Sequence, residues 1–108
     1  VETRNGEASE RAHVTAEAHR KEARAAQAQA DAARLHAEAL RAVSEAQRAE
    51  ADALEDRHQA GTRRFQAELA ERESQTAEQM ARTFDREAQR AAGEADAAEQ
   101  RAKLYRSE

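Results

Sequence analysis

Four histidines and 22 carboxylates are the side chains of this chain with the clearest chemical potential. His36 and His58 stand two eleven-residue units apart, so an eleven-residue period places both on one helical stripe. In a parallel pair of helices each would face its twin, as a proton-sensitive pair or a metal site. No His-Glu-x-x-His pattern accompanies them, and they read as tolerated polar residues beside Gln47, Glu73 and Thr76. His13 and His19 fall off the stripe and read as solvated. Asp and Glu on an open helix face lack the burial that shifts acidity toward catalysis. There is no Gly-rich phosphate loop, and one straight helix cannot assemble Ser, His and Asp. No catalytic residue, no cofactor and no metal ligand is therefore assigned, and no enzymatic activity is expected.

The elements that carry these side chains follow from composition. Hydrophobic residues make up 39 % of 108, but 30 of them are alanine, which leaves twelve Val, Leu, Met, Phe and Tyr. That is too few to fill a globular interior. Charged residues are 37 %, proline is absent, and glycine occurs only at 6, 61 and 93. A mixture of Ala, Glu, Arg and Gln favours helix. The net charge of −4 blends 18 basic and 22 acidic residues along the whole length. No basic block is present to grip phosphates, so nucleic acid is not an expected partner. With no cysteine, nothing points to an oxidising compartment. Uncharged runs are short and alanine-rich, so direct membrane insertion is not expected and a cytoplasmic location is. Because the chain starts at Val rather than Met, it reads as a fragment or a processed product.

The large apolar residues Val14, Leu40, Val43, Leu54, Phe65, Leu69, Met80 and Phe84 are the predicted oligomer seam. Val43, Leu54 and Phe65 are eleven apart, as are Leu69 and Met80. At 3.67 residues per turn all eight fall within an arc of roughly 65°, whereas at 3.5 they scatter around the circle. The predicted fold is all-α: a long continuous helix forming a mixed eleven- and seven-residue, Ala-rich coiled coil, dimeric in the first instance. Residues 1–6 are expected to fray, with Asn5 or Ser9 as N-cap, and 7–106 to form the coiled-coil rod. Ala12, Ala16, Ala23, Ala26, Ala30, Ala33 and Ala37 recur at spacings of three, four and once seven, which also reads as heptads. Small residues every seven support close antiparallel packing as readily as parallel pairing, so orientation stays open. Gln47, Glu73 and Glu87 on the seam would fix register. Gly61-Thr62 is the one place that offers the helix a turn, and a helical hairpin bent near Gly61 is the alternative. Against it, Arg63 and Arg64 carry the wrong sign for a new helix start. Acid-before-base pairs at four residues, such as Glu17 with Lys21 and Glu78 with Arg82, support helix throughout.

The segments AEAHRKEARAAQAQADAARLHAEALRA and RAEADALEDRHQAGTRRFQAELAERE resemble the rods of bacterial intermediate-filament-like coiled-coil proteins of the FilP and Scy type. Members of that group combine seven- and eleven-residue units in a repeat of fifty-one, and Val14 with Phe65 and Ala18 with Leu69 stand at that interval. The chain departs from the group in a seam poorer in Leu. The resemblance implies a cytoskeletal rod that self-associates into filaments or scaffolds. Two other readings stand beside it: a strut or docking helix within a larger hetero-assembly, similar to the peripheral stalk of rotary ATP synthases, and a surface- or membrane-binding amphipathic helix.

Overall fold

A computed structural model describes the backbone of residues 2–107 and the side chains of residues 4–107. The chain is all-α, in two helices: α1, Glu2–Ala53, and α2, Arg57–Ser107. The expectation of helix throughout holds, and of the two arrangements the helical hairpin forms rather than one continuous helix, with its break at 54–56, just before Gly61. Helix starts at Glu2 rather than after a frayed segment, so Asn5 and Ser9 lie inside α1 and cap nothing. Val1, also within the expected frayed segment, lies outside the described residues.

The interruption falls at Leu54, Glu55 and Asp56, and its cause is local. The Leu54 amide donates to the Ala51 carbonyl (3.2 Å), tightening the last turn of α1. The Asp56 carboxylate then accepts from the Gln59 amide at 2.9 Å, while the Asp56 carbonyl accepts from the Ala60 amide at 2.9 Å. Asp56 is thus the N-cap of α2, and Asp-x-x-Gln has the spacing of a capping box. Its negative charge also sits at the positive end of a helix whose first turn holds no acid. Gly61 lies one turn further on, without a positive φ, and a methyl group there would meet nothing within 4 Å.

The residues group into two compact units, Gln29–Thr83 and Val1–Ala28 with Phe84–Glu108. The first is a helical hairpin whose innermost row is built from alanine and serine. Ala30, Ala37, Ser44 and Ala51 of α1 and Ala60, Ala67, Ser74 and Ala81 of α2 are all buried, each seven residues from the next on its helix. Ser74 Oγ donates to the Ala37 carbonyl at 2.9 Å and sets the antiparallel register. In the second unit the same pattern appears with Ser9 and Ala16 on α1 and Ala88, Ala95 and Ala102 on α2. There Ser9 Oγ donates to the Ala102 carbonyl at 3.0 Å and accepts from Arg106 Nε at 3.1 Å.

The period that joins the helices is therefore seven, not eleven. One methyl or hydroxymethyl at each inner position lets two backbones approach closely, and a serine hydroxyl in that space reaches a carbonyl across the interface. Such a core contributes little per residue. Burying a methyl-sized group is worth about 0.8 kcal/mol, against about 1.5–3 kcal/mol for a Leu or Phe side chain.

Candidate functional site

Alternation around the inner row produces two unlike flanks. On the first flank lie residues four beyond each inner position: His13, Arg20, Arg34, Arg41 and Arg48 on α1, and Glu71, Glu78, Asp85 and Glu99 on α2. In the hairpin unit Arg41 pairs with Glu78, and Arg48 lies 3.9 Å from Glu71. A cleft of about 290 Å³ on this flank is walled by Arg34, Glu38, Arg41, Glu78 and Arg82. In the other unit Glu99 receives both His13, at 3.2 Å from Nδ1, and Arg20, at 3.1 Å. The hydrogen bond from His13 holds the Glu99 carboxyl below its ordinary value of 4.5; partial desolvation opposes this and Arg20 reinforces it. Base on one helix and acid on the other favours the antiparallel pairing, although each exposed pair is worth only about 0–1 kcal/mol.

The opposite flank is different in kind. Positions one before each inner residue include Glu22, His36 and Val43 on α1 and Glu73, Met80 and Glu94 on α2. Beyond them on α1 runs an exposed row of Ala18, Ala25, Ala32, Ala39, Ala46 and Ala53, again seven apart. In the hairpin unit His36 joins Glu73, Thr76, Ala77 and Met80 around a cleft of about 350 Å³. Among the described residues, no Val, Leu, Met, Phe or Tyr lies on the charged flank or on the row just outside it.

No family model, curated protein or solved structure gives a significant match to this chain. Its chemistry is therefore read from its own residues. None of the eight predicted seam residues enters the innermost row. Leu40, Leu54 and Phe84 are half-buried at its margin, while Val14, Val43, Phe65, Leu69 and Met80 are exposed, Phe65 by 65 % and Met80 by 51 %. Val14 and Phe65 point away from the partner helix, and Val43, Leu69 and Met80 lie on the apolar flank.

The histidines exchange the roles that spacing assigned them. His36 and His58 are exposed, His36 on the flank beside Met80 and His58 near the start of α2. His13 and His19, expected in solvent, are half-buried at the interface and face acids of α2. His13 uses both ring nitrogens: Nδ1 toward Glu99 and Nε2 toward Glu17 at 3.3 Å. His19 turns Nδ1 alone toward two carboxylates, Glu94 at 3.2 Å and Glu22 at 3.6 Å. The signal that would have found them is the heptad itself, since His19 occupies a row otherwise given to alanine at 12, 26 and 33. Glu78, expected to pair with Arg82 on its own helix, reaches instead across to α1, and Glu99 does the same.

Proposed function

We propose that this chain is a structural, self-associating coiled-coil module, and that a second copy covers its apolar flank. The observation that carries the reading is an inversion of the usual burial order: alanine and serine are inside, and Val43, Leu69 and Met80 are outside. A helix pair closed by methyl groups gains little against the entropy of ordering its residues, about 1–2 kcal/mol for each backbone unit. Covering the larger side chains supplies what the inner row lacks. The alanine row at 32, 39, 46 and 53 offers a second helix the same close approach that the inner row gives α2. The charged flank, already paired within the chain, stays in water.

A filament, scaffold or spacer is the corresponding cellular role. The resemblance to intermediate-filament-like rods makes the cytoplasm the place to look for it. Sedimentation equilibrium over a wide concentration range tests the proposal. An oligomer that Met80→Glu together with Val43→Glu converts to monomer, with helix content kept, is the expected result. A wild-type chain that stays monomeric at high concentration overturns it, and binding of a different helical protein in that state would support the docking-helix reading instead.

A further inference from the structure

The geometry points to a divalent transition-metal site, of the kind zinc fills, formed by His19 Nδ1, a Glu22 oxygen and a Glu94 oxygen. All three ligands belong to one chain and one compact unit, so the site forms without a second copy. His19 and Glu22 share a face of α1 at a spacing of three, and Glu94 approaches from α2. The three donor atoms lie within 4.8 Å of one another.

Two features separate this cluster from an ordinary ion pair. The first is which nitrogen is used. At His13 the two acids sit on different ring nitrogens, each of which can carry a hydrogen. At His19 both acids converge on one nitrogen, which has at most one hydrogen to give. The second is satisfaction: Nδ1 is fully covered and makes no directed hydrogen bond, although Glu94 is so near. The spacing fits a metal as well, since ligand atoms about 2.0–2.2 Å from a tetrahedral zinc stand about 3.4 Å apart and the separations from Nδ1 are 3.2 and 3.6 Å.

The imidazole selects the metal class. One nitrogen with two carboxylate oxygens suits zinc, cobalt or nickel, while magnesium prefers oxygen ligands alone and retains its water. His19 is the anchored ligand, its side chain 24 % exposed, and the more exposed Glu22 and Glu94 adjust around it. The second oxygen of Glu94 stays 4.0 Å from Arg90, which steadies that arm. Three protein ligands leave an open position for water. Because the ligands come from both helices, the ion binds the folded pair and clamps α1 to α2.

Cobalt titration of the whole chain tests this, read by the visible absorption of tetrahedral Co²⁺ and by its displacement with Zn²⁺. One ion per chain is expected, with no competition from Mg²⁺ at equal concentration, and a melting temperature that rises with free Zn²⁺. His19→Gln should abolish the band. Glu94→Gln should weaken binding by more than about tenfold, since loss of an outer-shell partner alone costs about 10–100-fold. His36→Gln should bind as wild type does. If His19→Gln loses helix content, Glu94→Gln decides, being a substitution on the surface. Wild-type affinity in Glu94→Gln, equal competition by Mg²⁺, or no cobalt bound at millimolar concentration would overturn the proposal.

Discussion

Serine at an inner position behaves in opposite ways at two places in the hairpin unit. Ser74 Oγ has a carbonyl to donate to, whereas Ser44 Oγ is fully buried with no hydrogen-bond partner. An unpartnered buried hydroxyl costs about 1–3 kcal/mol, and a satisfied one contributes about 0.5–1.5 kcal/mol. Ser44→Ala should therefore raise stability by about 1 kcal/mol and Ser74→Ala lower it by about as much, measured by urea unfolding. Glu99 supplies a pH dependence of definite sign. Its folded pKa is lowered, so the stability it contributes is complete above its ordinary value of 4.5 and is lost as pH falls through the lower folded value. The deficit of Glu99→Gln relative to wild type should be constant above that range and shrink below it, as thermal melts at stepped pH would record.

At the scale of the element, the end of one helix and the start of the next rest on Asp56. Removing an Asp N-cap costs about 0.5–2 kcal/mol, so Asp56→Ala should destabilise the hairpin by about 1 kcal/mol. Gly61→Ala makes the complementary case. The glycine is helical, its added methyl meets no neighbour, and alanine is better than glycine in a helix by about 1 kcal/mol. The substitution should stabilise by that order in chemical denaturation. A loss of stability would mean that Gly61 has a turn role after all. The Asp56 cap was legible in the sequence as Asp-x-x-Gln, but the glycine five residues on is the louder signal. A breaker marks where a helix is weak, whereas a cap marks where the next one begins.

For the molecule as a whole, the proposed assembly is the property to measure. Met80→Glu alone should shift the monomer–oligomer equilibrium toward monomer, while Arg41→Gln, on the charged flank, should leave it unchanged. Sedimentation velocity at matched concentration distinguishes these outcomes, and an equal effect from both would contradict a sided interface. Among the described residues no helix is long and apolar enough to cross a membrane. What the residues determined unaided was helix: 30 alanines, evenly mixed charge and no proline leave few other ways to satisfy the backbone. The repeat of seven was also written there, in small residues from Ser9 to Ala51 and from Ala60 to Ala102, beneath the more conspicuous spacing of the large ones. Tertiary structure decided which repeat meets which. Large apolar groups release the most free energy on burial and so dominate a reading of one strand. Two antiparallel helices gain first from closeness of backbone, which the small side chains of alanine and serine permit here.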